Sequence, residues 1–121
     1  GMIGRNYLDA GMGHRVCQIY ADSREWDDKH YPDGFFDTAL IDGGHTPEVV
    51  ISDTRKALRL VRPGGLILWH DYCPDERVYE QMETTRGVID AIRADLDFIQ
   101  SQVEQLFWIE PSFILVGVKR E

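Results

Sequence analysis

The stretch FDTALIDGGH, residues 36–45, decides how the chain is read, together with PGGLILWHD, residues 63–71. Each holds a short run, Thr38–Ile41 and Leu66–Trp69, that ends in acids and imidazoles. Asp42 and His45 follow the first run, and His70 and Asp71 follow the second. Unbroken apolar runs of this length suit parallel strands buried on both faces. Open α/β sheets bind ligands just beyond the carboxyl ends of such strands. The polar groups therefore fall where a site is expected.

The segment between the two runs predicts a helix over 46–62. Thr46 is placed to cap it, and Pro47 suits its first position, where a missing N–H does no harm. Val50, Thr54, Ala57, Leu58 and Val61 recur at three- and four-residue steps, so one stripe faces a sheet. The PGG at 63–65 ends it. Strand, helix and strand in this length make a βαβ unit, whose crossover is right-handed.

Working outward, Val16–Tyr20 reads as a short strand closed by a turn at 21–24. Arg5–Ala10 reads as the last turns of a helix stopped by Gly11 and Gly13. Residues 26–35 read as a loop with room for a helical turn. Downstream, 72–86 reads as a polar loop, and Val88, Ile92, Leu96 and Ile99 mark a second amphipathic helix. Val103–Ile109 and Phe113–Lys119 form a hairpin, antiparallel at one sheet edge.

With 121 residues, 43% of them hydrophobic and 28% charged, the chain reads as one globular domain over 1–121. A net charge of −8 opposes sequence-independent binding to nucleic acid, which needs a basic face, and opposes an anionic membrane surface. No apolar stretch approaches membrane-span length. Cys17 and Cys73 stand in no metal-type spacing and read as reduced thiols of a cytoplasmic protein. Gly1 and Met2 read as a protease-cleavage scar before a native start.

Asp42, His70 and Asp71, at adjacent strand ends, are placed to converge on one point. Two carboxylates and an imidazole suit a divalent cation such as Mg, Mn or Zn. The same acids serve equally well as caps of loop backbone, with the histidines solvated. His45 is either a general base near neutral pH or an exposed loop imidazole. Gly43 and Gly44 allow a ligand close to the backbone, or simply a turn. Asp22 and Ser23 fit hydrogen bonds to a purine edge, or an Asx turn. Trp26 is the one tryptophan placed to line a pocket, and no role is assigned to it.

The series HRV at 14–16, ADSRE at 21–25, FD and IDGGH within 36–45, LVRPGG at 60–65 and WHD at 69–71 resembles the class I S-adenosylmethionine-dependent methyltransferases. The likeness is greatest to their O-methyltransferase-like branch, which includes cephalosporin-hydroxylase-like proteins, and runs from about Tyr7 to the C-terminus. It implies a Rossmann-like α/β methyltransferase fold, truncated, with a mostly parallel sheet and a C-terminal antiparallel hairpin. It implies S-adenosyl-L-methionine as cofactor, with Asp22 and Ser23 at the adenine and Asp42 and Gly43 also binding the cofactor. In metal-dependent members an acid after the fourth strand and a pair after the fifth hold a divalent cation; these correspond to Asp42, His70 and Asp71. The catalytic base lies near His45, where members often carry lysine, and Asp42 would help to orient the acceptor.

The family's glycine-rich loop after its first strand and the ribose-binding acid after its second have no counterpart here. Gly11 and Gly13 follow no apolar strand, so they form no nucleotide fingerprint. The expected function is methyl transfer to an oxygen of a small-molecule substrate, if the chain is active. The alternative is a catalytically incomplete remnant that acts as a metal-binding or protein-interaction module. A third reading is metal-dependent hydrolase or hydroxylase chemistry at the same cluster. In the complete family fold two strands separate the third from the fourth. Val16–Tyr20 must then either pair with Thr38–Ile41 or leave it an open edge, which implies a homodimer through one of the two.

Overall fold

A computed structural model describes residues 3–121; Gly1 and Met2, with the cleavage scar read there, lie outside the described residues. The two runs at the centre of the sequence become neighbouring strands, β1 (Phe36–Ile41) and β2 (Val61–His70). They are parallel, with Thr38 beside Leu66 and Ile41 beside Trp69. After a short N-terminal helix α1 (Arg5–Asp9), helix α2 (Pro47–Leu60) connects the two strands, with Pro47 in its first turn. Thr46 stands at its N-cap, but the side chain makes no capping bond there.

The helix stops at Leu60 and β2 begins at the next residue, earlier than the predicted strand. Phe36 pairs with Val61, after which β2 loops out before Thr38 meets Leu66. Gly64 supplies the positive φ of 78° that this excursion requires. Lys119 closes the helix end by donating its ammonium to the Val61 carbonyl at 2.7 Å, and burial pushes its pKa down.

Residues 72–86 are a correction to the sequence reading. Most of them are helical, as α3 (Glu76–Gln81) and the start of α4 (Glu83–Ala94). Asp75 begins α3 by accepting bonds from the Arg77 and Val78 amides at 2.8 and 3.3 Å. No residue of α3 is buried, so no apolar period announced it. The predicted second helix is also broken at Asp95, before α5 (Leu96–Gln102). There the Asp95 carboxylate is held by Arg55 at 3.0 and 2.7 Å.

β3 (Val103–Trp108) and β4 (Ile114–Lys119) form the expected antiparallel hairpin. The sheet order is β1-β2-β4-β3. Only β1 and β2 are parallel, so the sheet is mixed rather than mostly parallel. Val16–Tyr20 is not a strand, which leaves β1 at an open edge. In the parallel and antiparallel ladders alike, paired residues share a face. The row Ile41, Trp69, Leu115 and Trp108 faces the helices, where the Trp69 indole donates to Thr54 Oγ1 of α2 at 2.9 Å. Val50, Leu58, Val88, Ile92 and Ile99 complete this core. The opposite row holds Leu40, Leu68, Val116 and Phe107. Leu40 is 60% exposed and Phe107 45%, so no element among the described residues fully covers that face.

Candidate active site at the ends of β1 and β2

The parallel pair delivers its terminal residues to one point. Ile41 and Trp69 are register partners, so Asp42 and His70 emerge side by side. At Asp71 the chain reverses through a left-handed backbone, φ 63°, a conformation that aspartate tolerates better than most residues. Asp71 Oδ2 lies 2.7 Å from His45 Nε2, which comes from the loop before α2. In the tautomer that carries its hydrogen on Nε2 the ring donates to Asp71 and Nδ1 keeps the lone pair. Asp42 Oδ1 lies 4.0 Å from the same Nε2.

His70 approaches from the strand. Its Nδ1 lies 3.3 Å from Asp42 Oδ1 and 3.1 Å from Asp71 Oδ1. The approach is near enough for an ion pair, yet misdirected for a hydrogen bond, and the nitrogen is shielded from solvent without a partner. A sheltered nitrogen between two carboxylates is the donor set of a hard or borderline cation. Asp42, His45 and Asp71 also offer one ligand atom each, all within 4.8 Å of one another. These three residues fit a divalent ion, with His45 in the group where His70 was expected. Of the four, Asp71 is the most enclosed, with its side chain 19% exposed.

The His45 loop is held from outside by α4. A β-carbon at Gly87 would overlap the carbonyl oxygen of His45, so the helix approaches this loop as only glycine allows. Gly44 is similarly confined, with Val49 Cγ1 2.9 Å from where its β-carbon would stand. The Gly87 approach is not written in local sequence, because it joins segments whose proximity only the tertiary fold creates, whereas Gly44 and Val49 belong to one loop and helix start.

Beside the cluster, between β1 and α2, lies a cavity of about 300 Å³ lined in part by Ser23, Asp42, Gly43, Asp53 and Lys56. It brings three of the four residues assigned to the cofactor together. Asp22 is not among the lining. Its carboxylate binds the Arg24 amide at 2.9 Å and the Arg24 guanidinium at 2.7 and 3.1 Å. Those bonds hold its pKa at about 2, and the Asx-type turn considered for it is formed. Lys56 donates its ammonium to the Ser23 carbonyl. Asp53 lines the cavity too, and its Oδ1 is shielded and has no hydrogen-bond partner. Sequence reasoning passed over Asp53 and Lys56, which sit on an amphipathic helix like ordinary polar-face residues. Trp26 does not line this cavity, and its ring centre lies 5.9 Å from that of Tyr31 with the planes tilted by 46°.

Residues 3–72, more than half of the chain, match the family model described as a methyltransferase domain. No curated protein matches the chain. No helix among the described residues is long and apolar enough to cross a membrane.

Proposed function

The chain belongs to the class I S-adenosylmethionine-dependent methyltransferase-like family, and on that premise we propose that its Asp42–His45–His70–Asp71 cluster prepares an oxygen of a small molecule for methylation. The observation that carries the reading is the 2.7 Å bond between His45 Nε2 and Asp71 Oδ2 at the carboxyl end of a parallel pair. Asp71 fixes the orientation of the His45 ring through that bond. His45 Nδ1 takes the proton of the acceptor hydroxyl, while Asp42 orients that hydroxyl. S-adenosyl-L-methionine, when bound, supplies an electrophilic methyl group. Asp42, His70 and Asp71 would hold a divalent cation, which would supply positive charge beside the acceptor oxygen.

The cavity between β1 and α2 stands at the lower end of the small-molecule range, about 300 Å³. It suits part of the cofactor, with Ser23, Gly43 and Asp53 supplying polar contacts. Cofactor binding by this chain alone is accordingly weaker than about micromolar, since ordering a flexible ligand against few contacts is costly.

Manganese titration followed by electron paramagnetic resonance tests the assignment. Asp42→Asn and His70→Gln should weaken Mn binding on the order of 10- to 100-fold, the range for lost support at a metal. His45→Gln should leave Mn binding largely intact while abolishing methyl transfer to any acceptor the chain accepts. No Mn binding at millimolar concentration would remove the metal from the reading. Equal losses in all three variants would make His45 a ligand rather than the base.

The open edge of β1 favours the second reading, a protein-interaction module that completes its sheet with another chain. Its occupant on this reading is a second copy. Antiparallel pairing of two β1 strands about Ala39 sets Asp37 opposite Ile41 and Asp42 opposite Phe36, so no like charges meet across the pair. Light scattering should report a dimer. A species near 13.9 kDa across micromolar concentrations would remove this contact.

A further inference from the structure

A second cavity, about 570 Å³, lies away from the β1 edge. Its floor is apolar: Ile89 and Ile92 of α4, Leu96 of α5, Leu106 of β3 and Leu115 of β4. Tyr72 and Tyr79 line it as well, the first directly after Asp71. The Tyr79 hydroxyl donates to Asp90 at 2.8 Å, which fixes that ring in place. This volume falls within the range of sites that enclose a small molecule, and two aromatic residues over an aliphatic floor suit a flat ring.

Three charged side chains also line the cavity: Asp75, Glu76 and Arg93. Asp75 is engaged by the Arg77 and Val78 amides of α3. Arg93 sits with its guanidinium 5.4 Å from the Tyr79 ring centre and makes no ion pair or hydrogen bond among the described residues. A guanidinium oriented by a ring and left without an anion is a planar fork suited to a carboxylate. We propose that this cavity is a binding site for an aromatic carboxylic acid, its ring on the Ile89–Leu115 floor and its carboxylate on Arg93. Binding here is independent of the methyl-transfer reading and stands whether or not the chain transfers a methyl group.

The probe is 2-naphthoate, compared with the neutral 2-naphthamide and the cationic 2-naphthylmethylamine, by amide chemical-shift titration of the intact chain. The acid should bind on the order of tenfold more tightly than the amide, the worth of one charge-assisted bond. Shifts should centre on Tyr72, Ile92 and Leu115. Arg93→Gln should bring acid and amide to similar affinity. Glu76→Gln, which removes a repelling charge at the cavity lining, should tighten the acid roughly threefold. Leu96→Trp should weaken all three probes by filling the floor. Equal binding of acid and amide by the unaltered chain would overturn the proposal, as would preference for the amine or shifts confined to other surfaces. The probe series on the unaltered chain decides the matter even if a variant fails to fold. Loss of Mn binding or of methyl transfer at Asp42 and His70 leaves it untouched.

Discussion

Residues 3–35 and residues 36–119 are built on different physical terms. No residue of the first region is buried, whereas the second holds every buried residue of the core. The N-terminal region is fastened by polar straps to α2. Arg59 reaches the Asp28 carboxylate at 2.7 Å, the Asp33 carboxylate at 2.8 Å and the Tyr31 carbonyl at 3.0 Å. Lys56 reaches the Ser23 and Trp26 carbonyls. Tyr31, Phe35 and Phe36 add a half-exposed aromatic cluster, with ring centres 5.0 to 5.3 Å apart. Burial of apolar surface is the dominant favourable term in folding, while exposed ion pairs contribute little. Stability therefore resides in the second region. The first follows it as an attached segment, although it brings Ser23 to the cavity beside β1.

The largest effect should come from the centre of the sheet. Trp69 is fully buried and bonded to Thr54. Trp69→Ala should cost about 3–5 kcal/mol, the range for removing a large core aromatic, and also strands a buried threonine hydroxyl. Tyr20→Ala, at a residue 71% exposed in the first region, should leave the melting temperature nearly unchanged. Thermal unfolding by circular dichroism makes the comparison. Comparable losses at the two positions would show that residues 3–35 share the core after all.

A second effect joins the core to the site. Gly87→Ala must displace either α4 or the His45 loop, at a cost of about 1–3 kcal/mol for an overpacked position. Ala91→Gly, on the same helix, should cost about 2 kcal/mol through backbone entropy and the loss of one buried methyl. Only the first should move the imidazole resonances of His45 in a histidine-labelled sample, while His14 and His30 stay in place. If His45 is unmoved in Gly87→Ala, the site is held by its own ion pairs rather than by the core.

The difference between the regions also explains what the sequence could say. α2 and β2 were legible because their apolar pattern records burial directly: Val50, Leu58, Ile67 and Trp69 are all in the core, whereas of β1, expected to be buried on both faces, only Ile41 is buried and Leu40 is 60% exposed. The hairpin was legible for the same reason. Val16–Tyr20 misled because its composition suits a strand, yet a strand exists only through a partner. Ile19 and Tyr20 are instead 50% and 71% exposed. The helix α3 was hidden by its polarity, and its one signal, the Asp75 cap, lay within a charged run. At the site, Asp42, His70 and Asp71 were legible as strand ends. The bond from His45 to Asp71, the approach of Gly87 and the unpartnered Asp53 depend on contacts between distant segments, which no local pattern encodes.

The smallest effect concerns the Arg59 strap, and it separates docking of the N-terminal region from folding of the core. The guanidinium bonded to Asp28 lowers the pKa of that carboxylate, chiefly through the hydrogen bond itself. A carboxylate lowered in the folded state contributes stability that is present above its ordinary range. That contribution is lost as pH falls through the lowered value. The strap should therefore persist from neutral pH down to about 4, where an unperturbed aspartate begins to take up protons, and open only below it. The Gly34 amide donates to the Arg59 carbonyl at 2.9 Å and can report on opening by hydrogen exchange. Arg59→Lys keeps the charge but loses the planar fork that serves several acceptors at once. It should raise Gly34 exchange several-fold at neutral pH, with the melting temperature of the core nearly unchanged. A matching fall in melting temperature would mean that residues 3–35 unfold with the core as one unit, and the division between the two regions would not hold.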